Sequence, residues 1–137
     1  MLGLRKNIKS QKGFTLVELL VVIAIIGIMA AIAVPKFSDS TATARTAKVQ
    51  ADLRAIDTAI QMYMANHSGA LPTGADDIKT YLTTGALPTA EAGKYRISGT
   101  TKTLTSVTYG LNDAKDRAQA TFAGDDSGKY TADSLKQ

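Results

Sequence analysis

Glu18 is the one charged side chain in the 21 residues from Phe14 to Val34, a run whose only other polar group is the hydroxyl of Thr15. A carboxylate well inside a bilayer-spanning helix costs roughly 2.5–3.5 kcal/mol, less towards the end of the span. A segment that served only as an anchor would gain by losing it, so this carboxylate asks for a partner. Elsewhere the chemistry-bearing residues are few. Cysteine is absent, which excludes a disulfide framework, a thiolate zinc site and a cysteine nucleophile. The single histidine, His67, rules out a two-histidine zinc site and has no serine or aspartate motif beside it. It is expected to cap a helix end or face water. Asn66-His67-Ser68 is formally a glycosylation acceptor, but Asn and Ser are expected at a helix end anyway. No enzyme is read from this set.

The charge balance narrows the partners. The chain of 137 residues carries +4, and residues 1–13 supply all of it through Arg5, Lys6, Lys9 and Lys12. The remainder is formally neutral, so net charge gives no support to nucleic-acid binding.

The run from Phe14 to Val34 must be positioned by a membrane. About 20 apolar residues cross the hydrocarbon core as a helix. The four cations before it place the N-terminus in the cytoplasm and the rest outside. A buried core helix is a poor alternative, since so small a remaining domain could not cover it on all sides. Three readings compete for the segment. An ordinary secretory signal has its small-residue cleavage site in Ala31-Ile32-Ala33, but this apolar run is longer than such signals use and contains Glu18. A permanent anchor leaves Glu18 unexplained. The third reading supplies the carboxylate with a cation.

Lys12-Gly13-Phe14-Thr15-Leu16-Val17-Glu18, after a short basic leader and before an apolar run, resembles the signal of type IV pilins and type II secretion pseudopilins. The resemblance implies a cut between Gly13 and Phe14 by a prepilin peptidase, and N-methylation of the new Phe14 amine. Cleavage would create a cation four positions ahead of Glu18, and pairing of the two would offset the cost of burying both. Within a continuous helix Phe14 and Glu18 stand one turn apart. In the family the glutamate pairs with the amine of a neighbouring subunit; the sequence leaves both pairings open. Gly27 weakens the helix by about 1 kcal/mol relative to Ala, and Pro35 lacks the N–H a helix interior needs. A kink or melted stretch between them is expected.

Beyond Pro35 the apolar period changes. Val49, Leu53, Ile56, Ile60 and Tyr63 fall on one face of a helix, with Lys48, Asp52, Asp57 and Gln61 away from it. That helix is expected to stop before Gly69, with Pro72 forbidding continuation. Gly69-Ala-Leu-Pro-Thr73 recurs as Gly85-Ala-Leu-Pro-Thr89, two similar turns rather than a repeat. Between them Thr73-Gly-Ala-Asp76 reads as a capping box opening a short helix through Ile78, Tyr81 and Leu82. Strands are expected at 94–98 and 104–109, joined by a turn over 99–103. A third is expected near 120–122, followed by a turn at 124–128. The tail after Ala132 is expected to fray.

These elements predict an α+β chain: a leader over 1–13, a membrane or filament-core helix over 14–34, an amphipathic helix over 35–66, and a small antiparallel sheet with a short helix within 67–137. The order resembles that of a major pseudopilin, and the lack of cysteine favours that branch over type IVa pilins. The resemblance implies a structural subunit that polymerises through its N-terminal helix, most like the major pseudopilin of type II secretion. The alternatives are a type IV pilin for motility, adhesion or DNA uptake, or a membrane-anchored or secreted binding module. It implies as partners further copies of the chain, the prepilin peptidase, an inner-membrane assembly platform and minor pilins. It implies, too, a bacterial inner-membrane location followed by an extracytoplasmic filament. Major pseudopilins often bind calcium in a C-terminal loop, and Asp113, Asp116, Asp125 and Asp126 could offer oxygens. Their spacing fits no calcium loop, so Asp125 and Asp126 are weak candidates and no cofactor is expected.

Overall fold

The computed structural model describes residues 13–135; the leader cations Arg5, Lys6, Lys9 and Lys12 lie outside them. Helix α1 runs Leu16–Asn66. It opens on leucines and β-branched Val and Ile around Glu18, with no breaker before Gly27, and it ends where the sequence turns polar. Gly27 and Pro35 both lie within α1, and the helix continues through them with no melted stretch. One missing N–H removes a single rung of the ladder, and the good helix formers on either side carry the helix on. The stop after Asn66 is as expected. Gly69 adopts φ +85 and its N–H reaches back to the Met64 carbonyl at 2.8 Å, a left-handed closure that a residue with a Cβ resists. Gly85 is also left-handed, so the two Gly-Ala-Leu-Pro-Thr copies begin alike.

The chain divides at Pro35 into two compact units. In the first, every large apolar side chain from Phe14 to Val34 is exposed. In the second, the residues from Lys36 on, the C-terminal half of α1 covers a four-stranded antiparallel sheet. Its strands are β1 (Gly93–Ile97), β2 (Thr100–Leu111), β3 (Ala118–Gly124) and β4 (Lys129–Tyr130), in the spatial order β1-β2-β3-β4. Val49, Leu53, Ile56 and Ile60 are buried against Tyr95 and Ile97 of β1, Leu104 and Val107 of β2, and Ala118, Ala120 and Phe122 of β3. Tyr63 packs at the margin of the same cluster. The 3.6-residue stripe on the helix and the period-2 faces of the strands thus meet as one core.

Four local expectations are corrected. The turn between the first strands is not 99–103: Ile97 pairs with Thr100, leaving Ser98 and Gly99, both at positive φ (49 and 79), as a two-residue hairpin loop. The β-branched threonines that looked like a loop extend β2 instead. The short helix is 3₁₀, Ala75–Tyr81, and its capping carboxylate is Asp77, not Asp76. Asp77 Oδ2 accepts from the Thr73 N–H and hydroxyl, each at 2.7 Å, which hold its carboxyl below the usual aspartate range. Finally, the described residues after Ala132, 133–135, dock rather than fray. Leu135 is buried in the core and the Gln50 side-chain amide donates to its carbonyl. One apolar residue at the right spacing outweighs the polarity of its neighbours.

Candidate functional site

The N-terminal motif is built at the start of α1. Thr15 is the last residue before the helix, and Glu18 is the third residue within it. The Thr15 N–H and hydroxyl donate to Glu18 Oε2 at 2.8 and 2.9 Å, and the Glu18 N–H donates to Thr15 Oγ1 at 3.2 Å. This is a reciprocal capping box. The carboxylate also sits where the positive end of the helix dipole favours it. Phe14 therefore lies outside the helix, and the i, i+4 relation between Phe14 and Glu18 expected from a continuous helix is not formed. Sequence reasoning missed this box although Thr-x-x-Glu is its signature, because the apolar run was read as helical from its first residue.

Gly13 and Phe14 form a non-helical, exposed approach to the box, with Phe14 91% exposed. The apolar side chains that follow, Leu16 through Val34, find no cover within the described residues. Contiguous apolar surface of this kind marks a membrane or another protein as its environment, and α1 is long and apolar enough to cross a bilayer.

The weaker candidates are placed as follows. Asp125 Oδ2 accepts from the Thr103 N–H at 2.9 Å, and Asp126 Oδ2 accepts from Lys102 Nζ at 3.0 Å and from the Tyr130 hydroxyl at 2.9 Å. Both weak calcium candidates are thus engaged by donors of the chain itself, and the hydrogen bond and charge of Asp126 raise the Lys102 pKa. Asp116 belongs to a turn closed by Asn112, whose amide donates to it at 2.7 Å. Among the described residues no group of three or more His, Cys, Asp or Glu is arranged to hold a metal. His67 is exposed, stacks on Tyr63 at 4.0 Å and places Nδ1 2.9 Å from the Tyr63 carbonyl.

Such a chain, with an apolar N-terminal helix led by a capped Gly-Phe-Thr-x-x-Glu segment, and with the C-terminal half of that helix laid on a small antiparallel sheet, has a pilin-like architecture, and its apolar helix fits anchoring in a membrane. Residues 8–34 match the family model described as the prokaryotic N-terminal methylation motif. A type II secretion system core protein G from Klebsiella michiganensis is 34% identical over 102 residues, 74% of this chain and 70% of that protein. A fimbrial protein from Pseudomonas aeruginosa is 49% identical over 53 residues, 39% of this chain and 34% of that protein. A type IV major alpha-pilin from Moraxella bovis is 44% identical over 71 residues, 52% and 43% of the two chains. The chain belongs to the type IV pilin and type II secretion pseudopilin family. The matches span about a third to two fifths of the length of these fimbrial and pilin relatives. No solved structure matches the chain significantly.

Proposed function

We propose that this chain is a filament subunit: inserted with its N-terminus in the cytoplasm, cut between Gly13 and Phe14 by a prepilin peptidase, methylated on the Phe14 amine, and polymerised through its N-terminal helix. The observation that carries the reading is Glu18, a carboxylate retained in an otherwise apolar exposed helix directly after a methylation-type signal. The leader is residues 1–13, and the mature chain begins at Phe14, two residues ahead of the helix that forms the filament core. Head-to-tail contacts between identical copies are heterologous, so they propagate an open helix rather than a closed ring. The Glu18 carboxylate pairs with the Phe14 amine of a neighbouring copy, which fixes the stagger between helices. Gly27 and Pro35 supply a stretch that loosens when the helix leaves the bilayer for the filament. Assembly draws on an inner-membrane platform and minor pilins, and the filament stands in the periplasm or on the cell surface.

Within this class the first reading is the major pseudopilin of a type II secretion system. It is supported by the secretion-protein match, whose 102 residues cannot be contained in the 51-residue helix and extend into the sheet. The absence of cysteine agrees with it. A type IV pilin is the second reading, supported by the higher identity of the shorter fimbrial matches. Glu18→Ala tests the shared part. The variant is expected to insert and to be stable in the membrane, yet to yield no filaments, or filaments of altered register, by electron microscopy. Normal filaments from Glu18→Ala would contradict the pairing.

A further inference from the structure

We propose that Phe37 of one copy seats its ring in a groove on the folded unit of another copy, so that subunits are tied together outside the apolar half of α1 as well. The inference rests on the filament reading above and names a second contact surface for it. Among the described residues of the unit that begins at Lys36, three large apolar side chains stay exposed: Phe37 at 72%, Met62 at 48% and Leu71 at 43%. The hydroxyls next to Phe37 along α1 are turned back onto the helix. Ser40 donates to the Lys36 carbonyl at 3.1 Å, and Thr41 donates to the Phe37 carbonyl at 2.9 Å. Phe37 is thus an uncovered ring whose polar neighbours are already satisfied.

Met62, the second exposed side chain, stands on the wall of a groove between α1 and the segment 81–88. Ala55, Met62, Tyr81, Leu82, Ala86 and Pro88 line it, and it offers about 410 Å³. An apolar cavity of about 150 Å³ already accepts a benzene ring. The polar groups at its rim are held within the chain. Thr58 donates to the Arg54 carbonyl and Thr84 to the Ala86 carbonyl, each at 2.9 Å, while Asp52 accepts from Tyr109 and Lys48. A ring that enters displaces water from apolar walls and breaks none of these bonds. The ring cannot come from the same chain: from Phe37 to Thr58, α1 rises about 32 Å at about 1.5 Å per residue. Its source is a second copy. Ring and groove are then different surfaces of one molecule, and a contact of that kind is heterologous: it propagates from copy to copy instead of closing, as a filament requires. The one contact covers two of the three exposed side chains.

The test uses the full-length chain in cells that assemble it, with Phe37 replaced by the photoreactive aromatic p-benzoylphenylalanine. Filaments are irradiated, and the residue to which the probe attaches is read by peptide mass. Attachment within 55–62 or 81–88 of another copy is the expected result. Attachment elsewhere on the chain, to lipid, or to nothing in filaments that have formed would overturn the proposal. Two substitutions approach the contact from its two sides and decide the matter if the bulkier probe blocks assembly. Phe37→Ser on the ring side and Met62→Glu on the groove wall are each expected to lower filament yield about tenfold, the scale of one apolar side chain no longer buried. Both variants are expected to keep the wild-type melting temperature in detergent, and Phe37→Leu to assemble near the wild-type level. A wild-type yield from either Phe37→Ser or Met62→Glu would overturn the proposal. If the wild-type chain forms no filaments at all, the filament reading fails first, and electron microscopy of that one sample shows it.

Discussion

Thr46 shows how much one hydroxyl decides in this chain. It lies fully buried on the sheet-facing side of α1, accepting the Arg96 N–H at 2.9 Å and standing 2.9 Å from the Arg96 carbonyl. Strand β1 is at the edge of the sheet, and Thr46 satisfies backbone groups that an edge strand would otherwise leave open. Thr46→Val keeps the volume and strands those groups, so thermal unfolding is expected to show a loss of about 1–3 kcal/mol. No change in stability would mean that water replaces the hydroxyl. Nothing in the sequence pointed to Thr46, since a threonine on an apolar face is also what a tolerant core position looks like. Glu18 was legible because a charge in a bilayer-length run is costly, whereas its tie to Thr15 depended on where the helix starts.

At the scale of elements, periodicity carried well. The stripe Val49, Leu53, Ile56, Ile60 and Tyr63 is the helix face that meets the sheet. Three of the residues lying away from that stripe flank the contact: Asp57 Oδ1 accepts the Ala118 N–H at 2.6 Å, and Asp52 Oδ2 accepts the Tyr109 hydroxyl at 2.8 Å and Lys48 at 2.9 Å. Pairings over 57 or 61 residues of sequence have no local signal. Strand limits were the least legible, because the threonines of 100–103 suit a turn or a strand equally until Ser98 and Gly99 close the loop. The Asp52–Tyr109 pair has a consequence in alkali. Burial, then the hydrogen bond to Asp52 and its charge, push the Tyr109 pKa well above the ordinary value of 10.0. Unfolded tyrosine ionises around that value while folded Tyr109 keeps its proton. The stability this contributes is therefore full below about pH 10 and lost as pH rises past it. Tyr95 and Tyr130 are raised as well, so they act in the same direction. The melting temperature of the full chain in detergent is expected to fall from about pH 9 to about pH 11, and Tyr109→Phe to flatten that fall while lowering stability at neutral pH. An equally steep fall in the variant would remove Tyr109 as its source.

At the scale of the whole molecule, two demands share one helix. Its first part exposes apolar side chains on all sides and one carboxylate near its start. Its second part buries one face and exposes the other, and so carries a folded unit on its own core. A permanent anchor explains the first part without Glu18, and a cleaved signal explains neither the length nor the glutamate. A subunit that leaves the bilayer to pack against copies of itself accounts for both. The measurement that bears most directly on this account is the mass of the N-terminal peptide of the protein as its own cells process it. The account predicts a peptide that begins at Phe14 and carries one N-methyl group. A peptide beginning at Val34, or an intact Met1, would contradict it.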